Sequence, residues 1–429
     1  MTRRTAANSG WPGRSSRTSQ YHGSVPRLSY GWIIVAVSAA ASSLAWSVRS
    51  TFALFYVALL AEFGWQRGQA ALGYSLSWLL LIVFSPLAGW LYDRFGARVV
   101  VAVGGLLLGA GMVLTGRVHA LWEYYLAFGV LGAAGIAFIM MPAFAAASRW
   151  FVSGRGTALG IISAGASASA VIFYPLNAWL IGTLGWRNAM AAYGLIIVLG
   201  VVPAATLLYR RAPSDVKSAA MSTAPAGPDD REWTLLGALR TYQLWAAFAM
   251  WGLGVIGYQI MTTHQVAHAL DRGFDGATVA WVFGLAGVFT TVGNLVGGAL
   301  SDRWGRARVF ALGSAISVAG IVCFAQLAAP DELVRLLAYA GAGFGFGMRI
   351  SLLSAIPADL FQGRNFGAIL GFVNAGGGVG GFIGPFLGGY LFDVTGNYQL
   401  AFTVSALAIV ASAVAAWIAA RRPPARGHP

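Results

Sequence analysis

Charge is what this chain has least of. Of its 429 residues only 10% are Asp, Glu, Lys or Arg, and just 14 are acidic. A soluble domain carries about a quarter charged residues, so a surface facing water on all sides is excluded. The single cysteine, Cys323, excludes a disulfide framework or a thiolate metal cluster within the chain and reads as small core filler. No Ser-His-Asp set, metal-ligand cluster or carboxylate pair stands at catalytic spacing, so no enzyme activity, cofactor or metal is expected. Residues 1–29 lack the apolar stretch of a cleaved signal. Rich in Ser, Arg, Gly and Pro, they are expected to form a disordered cytoplasmic tail.

Apolar residues fill the gap. They make up 58% of the chain, and the mean hydropathy is +0.68. Runs of roughly 20 apolar residues, each able to cross ~30 Å of hydrocarbon as a helix, recur twelve times. The approximate spans are 30–60, 69–91, 98–117, 122–148, 156–183, 188–209, 241–269, 276–300, 308–328, 333–358, 365–391 and 398–420.

An even number of crossings puts both chain ends and alternate loops on one side. That side holds 21 of the 28 Lys and Arg, the other holds 5, and Arg49 and Arg349 lie inside spans. The bias predicts cytoplasmic termini and residence in the inner (plasma) membrane. It also accounts for the net charge of +14 without a nucleic-acid partner. The bilayer is the expected environment, and a monomer the expected state.

Residues 211–240 interrupt the hydrophobic pattern with Pro, Ser and mixed charge and read as a cytoplasmic linker. The expected organisation is a six-helix bundle over 30–210, the linker, a second bundle over 241–420, and a cytoplasmic tail over 421–429. The halves echo each other. "GWLYDRFGAR" (Gly89–Arg98) returns as "GALSDRWGRAR" (Gly298–Arg308), offset by 209 residues, and "TALGIISAG" (Thr157–Gly165) returns as "AILGFVNAG" (Ala368–Gly376), offset by 211. A duplicated six-helix unit is the plan of a transporter that rocks about a central site.

Gly89, Asp93, Arg94, Gly96 and Arg98 resemble the signature loop of the major facilitator superfamily, and Gly298, Asp302, Arg303 and Gly305 resemble its second copy. The resemblance implies an all-α membrane protein of twelve transmembrane helices in two pseudo-symmetric six-helix bundles. It also implies a conformational latch formed by Asp93, Arg94, Arg98, Asp302 and Arg303. "SYGWIIVA", "RWFVSGRGTALGIISAG" and "FQGRNFGAILGFVNAG" look like the branch of monocarboxylate transporters and oxalate:formate antiporters, carriers of small organic carboxylates. In that resemblance Arg49 falls where the monocarboxylate transporters place a carboxylate-binding lysine. The chain departs from the branch elsewhere. The eighth span (278–300) carries no charge, and the eleventh has Asn374 where oxalate carriers have a lysine.

An arginine at the centre of a span costs about 2.5–3.5 kcal/mol on insertion scales, so it faces a cavity or a partner. Ser38, Ser42, Ala45, Arg49, Phe52 and Tyr56 follow steps of four and three, a single helical stripe suited to a wet cavity. Arg349 lies in the tenth span. No acid is placed at membrane depth, so the expected partner of both guanidiniums is an anionic substrate. Tyr258 and Asn374 are further candidates for substrate contact. His264 is the candidate for a coupling proton, and His268 is expected at the membrane interface. The glycines of "NAGGGVGGFIGPFLGGY" (Asn374–Tyr390) follow no strand and precede no lysine. They read as a close-packing face rather than a phosphate loop.

The function expected is secondary transport of a small organic anion, first a monocarboxylate carried with a proton. Carboxylate:carboxylate exchange is the alternative within the class. A carboxylate-sensing receptor without turnover is the alternative outside it.

Overall fold

The computed structural model describes residues 30–151, 155–210, 233–361 and 366–421. The expected tails (1–29 and nearly all of 421–429) and most of the linker (211–232) lie outside the described residues. Eleven helices are long and apolar enough to cross a bilayer. One of them runs 52 residues, Thr157–Leu208, or about 78 Å at 1.5 Å per residue, far more than one crossing. It is broken at Gly185, whose φ of 72° and ψ of 156° are open to glycine and not to a helical residue. It therefore makes two crossings, and the described residues give twelve.

In chain order these are α1 (Tyr30–Phe63), α2 (Arg67–Phe95), α3 (Ala97–Thr115), α4 (Leu121–Trp150), α5 (155–184), α6 (186–208), α7 (Tyr242–Asp271), α8 (Gly276–Trp304), α9 (Arg306–Ala325), α10 (Leu333–Leu360), α11 (Phe366–Thr395) and α12 (Gln399–Ala419). The helix α1 is interrupted at Thr51, which separates Tyr30–Ser50 from Phe52–Phe63. The end of the expected linker departs from the expectation. Leu235–Leu239 form a short helix, with Thr234 accepting from Gly237 N at 3.1 Å, and Trp233 meets Phe361 edge-on at 5.3 Å. The apolar run "LLGAL" gives this turn a face to bury, and Ala238 is fully buried.

Helices α1–α6 pack as one bundle and α7–α12 as the other. The bundles meet where α2 lies on α11, α5 on α8, and the second part of α1 on α7. The glycines of α11 allow close approach both within the second bundle and to the first. Gly380 and Gly384 face Gly252 and Ile256 of α7, while Gly381 lies on the Trp78 ring of α2. A Cβ at Gly384 would lie 2.9 Å from both the Gln259 Cβ and the Ile256 carbonyl. The expectation of a packing face is met by this direct helix contact.

The outer surface is apolar, with Leu199 and Leu295 among its exposed residues. Tryptophans mark both ends of the bundle: Trp90, Trp245, Trp304 and Trp417 on the side of the Asp93 loop, Trp122, Trp179 and Trp281 on the other. An apolar band between two aromatic belts is the pattern of a multi-pass membrane protein.

Candidate functional site

Arg49 sits near the middle of α1, two residues before the break at Thr51, and is only 4% exposed. Its Nη2 donates to the carbonyl and hydroxyl oxygens of Ser77 on α2, at 3.1 and 3.2 Å. Its Cζ stands 4.1 Å from the centre of the Trp78 ring, 5.7 Å from Tyr74 and 6.0 Å from Trp46. Among the described residues Nε and Nη1 have no hydrogen-bond partner, nor does the Trp78 indole nitrogen. The guanidinium enters none of the ion pairs among the described residues. Aromatic faces offset part of the cost of burying it, at about 2 kcal/mol for a desolvated contact. Those two nitrogens, with three N–H groups between them, remain able to bind an anion.

The surrounding rings tie this cation to the second half. Tyr74 stacks on Phe52 at 4.4 Å, and its hydroxyl accepts from Nε2 of Gln259 on α7 at 3.0 Å. The stripe expected to line a wet cavity is instead a buried face. Ser38, Ser42, Ala45, Phe52 and Tyr56 are at most 1% exposed. Ser38 hydrogen-bonds Tyr209 at 2.8 Å, and Tyr56 donates to the carbonyl of Arg67 at 2.9 Å. Periodicity placed these residues on one side of the helix. It could not say that α2, α6 and α7 cover that side.

Arg349 is 2% exposed and lies inside the second bundle. Nη2 donates to the Ser412 hydroxyl at 2.9 Å, and Ser412 in turn donates to the Met250 carbonyl at 2.6 Å. The guanidinium stands over Phe310 at 4.8 Å and beside Phe346 at 5.9 Å, with Nε and Nη1 again unpartnered among the described residues. Tyr258 stacks on Phe346 at 3.6 Å, which sets it one ring away from Arg349. Asn374 lies on an exposed part of α11 and makes no hydrogen bond among the described residues. The two arginines therefore share no contact residue. Arg49 belongs to a box made by α1 and α2, and Arg349 to one made by α7, α9, α10 and α12.

His264 and His268 are both buried, at 0% and 3% exposure. The expectation of an interfacial His268 is corrected: its Nε2 lies 3.2 Å from the Phe324 carbonyl, inside the packed end of α9. His264 Nε2 lies 2.9 Å from the Pro385 carbonyl, and its Nδ1 lies 3.3 Å from the Tyr398 hydroxyl. A carbonyl can only accept, so Nε2 carries the proton and Nδ1 accepts from Tyr398. The Tyr398 oxygen also accepts from Arg67 Nη1. Arg67 bonds Asp271 at 2.8 Å and stands 3.7 Å over the Phe392 ring. This clamp joins α2 to α7, α11 and α12 on the side away from the Asp93 loop. In the sequence Arg67 was only a loop charge, because nothing local shows that acids 204 and 326 residues away converge on it.

On the loop side, Asp93 pairs with Arg149 of its own half at 2.6 Å. Asp302 pairs with Arg306 at 2.6 Å, and Arg306 also reaches Asp359 at 3.2 Å. Arg94 lies over Trp90 at 5.7 Å, while Arg98 and Arg303 are exposed. Among the described residues no hydrogen bond or ion pair joins the halves on this side. Those that do run from 67–75 and Tyr174 to 259–271 and 386–398, all toward the Arg67 end.

A family model described as Major Facilitator Superfamily matches residues 35–275 and 261–429. The chain belongs to the major facilitator superfamily. The transporter is 30% identical to monocarboxylate transporter 13 of Rattus norvegicus over 388 residues, covering 89% of this chain and 87% of that one. It is 28% identical to monocarboxylate transporter 11 of Mus musculus over 394 residues, covering 87% and 84%. Its fold matches a bacterial homologue of the human lysosomal transporter Spinster with a TM-score of 0.69 at 15% identity, covering 93% of this chain and 96% of that one. The expected fold, two six-helix bundles of a major facilitator transporter, is thus the one found.

Proposed function

We propose that this transporter carries a small monocarboxylate by alternating access, with Arg49 as the group that receives the carboxylate. The observation that carries the reading is the pair of nitrogens, Nε and Nη1, that find no hydrogen-bond partner and no acid among the described residues on a buried arginine. The monocarboxylate transporters named among its relatives support the same substrate class. Arg349, with Tyr258 one ring away, would respond to the substrate's charge from the second half. Asn374 would meet substrate only in another conformation of α11.

A proton is the proposed co-substrate and His264 the proposed carrier. Its second proton would have to sit on Nδ1, where Tyr398 now donates, so protonation would disturb the clamp between the halves. The termini are proposed to be cytoplasmic in the plasma membrane. The loops with Asp93, Arg94, Arg98, Asp302 and Arg303 would then close that side in the opposite conformation.

Uptake of labelled carboxylates into proteoliposomes tests this, with wild type, Arg49→Gln and His264→Gln. Uptake driven by a pH gradient in wild type, abolished in Arg49→Gln, is the expected result. His264→Gln should still exchange external for trapped carboxylate but should no longer respond to the gradient. Uptake in wild type that ignores pH and requires trapped anion would replace symport by exchange. Unchanged uptake in Arg49→Gln would remove Arg49 from the site.

A further inference from the structure

The duplicated signature loops each close over a pocket at the same place in their own half, one of about 520 Å³ beside Asp93 and one of about 340 Å³ beside Arg306. In both, a glycine of positive φ, Gly96 (80°) or Gly305 (89°), turns the chain from one helix directly into the next. The pocket lies between that turn and the ends of two further helices: α4 and α6 in the first half, α10 and α12 in the second.

Their charges differ. Arg149, at the end of α4, corresponds at an offset of 210 to Asp359 at the end of α10. In the second half Arg306 lies between Asp302 and Asp359, and the charges largely cancel. In the first, Arg94, Arg98, Arg149 and Arg210 line the pocket, with Asp93 as the only acid among the described residues. Arg149 takes that acid, and the other three form no ion pair among the described residues. Several stand on rings: Arg94 over Trp90, Arg149 over Tyr92 at 4.7 Å and Arg210 over Tyr30 at 4.6 Å. Trp90, Phe95 and Val99 beside the pocket face outward and are about half exposed. Arginines without an ion pair among the described residues, beside outward-facing apolar side chains at a helix end, are an arrangement suited to lipid phosphates at a membrane interface.

We propose that the pocket of the first half binds the phosphate of an anionic phospholipid head group and that its counterpart in the second half does not. The chain's own N-terminal tail does not suit it: residues 1–29 hold five arginines and no acid. The site is separate from Arg49, and the proposal stands whatever the transported substrate.

The test uses the full-length protein in phosphatidylcholine nanodiscs containing phosphatidylglycerol, with retained lipid counted by native mass spectrometry. Each basic side chain near an anionic surface contributes about a factor of five, so Arg98→Gln with Arg210→Gln should weaken phosphatidylglycerol retention about thirtyfold. Lysine at both positions should preserve it, which separates charge from folding. Arg308→Gln, in the second pocket, should change nothing. Equal retention in the double glutamine variant overturns the proposal, as does an equal loss in Arg308→Gln. Displacement of the lipid by inorganic phosphate at matched concentration would reassign the pocket to a free anion.

Discussion

Asp393 of α11 caps a helix in the other half of the molecule. Its two carboxylate oxygens accept from the backbone nitrogens of Arg67, at 2.9 Å, and Gly68, at 2.7 Å, the first two residues of α2. The residue preceding the helix, Gln66, supplies no side-chain cap. A helix N-terminus leaves N–H groups unpaired and carries partial positive charge, so a carboxylate there is stabilising. The cap lasts only while the halves stay together on this side, which makes it a contact specific to the described conformation.

Replacing Asp393 by Ala should therefore open this side. Loss of a cap costs about 0.5–2 kcal/mol, which changes the ratio of the two conformations by roughly twofold to thirtyfold. Spin labels on the ends of α2 and α11 should show a longer separation become populated. An unchanged distance distribution would mean that Asp271 and Tyr398 hold the clamp without it.

Arg49→Gln should not destabilise the protein even though it is expected to abolish transport. Two buried donor nitrogens without partners among the described residues cost about 1–3 kcal/mol each in the unliganded protein. Thermal unfolding of the variant should match or exceed wild type. Saturating carboxylate should raise the wild-type midpoint, by about 2.7 kcal/mol of stabilisation at a hundred times Kd, and leave the variant unmoved.

Gly384→Leu should separate α7 from α11. The first added carbon would already press on the Ile256 carbonyl and the Gln259 Cβ, and overpacking of this kind costs about 1–3 kcal/mol. Gly89→Ala is the comparison, since nothing lies within 4 Å of a Cβ there. Melting curves that fail to distinguish the two substitutions would argue against close helix contact.

Asp275, between α7 and α8, accepts from Ala277 N at 3.0 Å and Thr278 N at 2.9 Å. Hydrogen bonds from Thr278, side chain first and backbone second, hold its carboxyl below the usual range. A folded-state pKa lowered below the unfolded one contributes stability that is present above the unfolded pKa and lost as pH falls through the folded one. Wild type should therefore melt above Asp275→Asn at neutral pH, and the difference should vanish in acid. A gap that persists in acid would place the effect elsewhere.

The spans and their number were legible because hydropathy and length follow directly from the cost of placing polar groups in hydrocarbon. The duplicated loop was legible because Gly96 and Gly305 occupy equivalent tight turns in both copies. Arg49 and Arg349 stood out for the same reason as the spans: a charge in an apolar run is costly. The clamp was not legible. Arg67, Asp271, Asp393 and Tyr398 are ordinary residues of loops and helix ends until four helices bring them together. His268 was read as interfacial because position along a helix gives depth, while the Phe324 carbonyl that it meets comes from another helix.

The sequence by itself determined a twice-repeated six-helix membrane protein with two arginines inside its spans, because hydrophobic length and repeat spacing are local properties. Only the tertiary structure decided that Arg49 lies between Trp78 and Ser77 and that Arg349 lies in a separate box within the second bundle. It alone placed the hydrogen bonds and ion pairs that join the halves, among the described residues, toward the Arg67 end. Those facts depend on which face of each helix meets which neighbour, and a helix of fixed periodicity is compatible with many such arrangements until packing selects one.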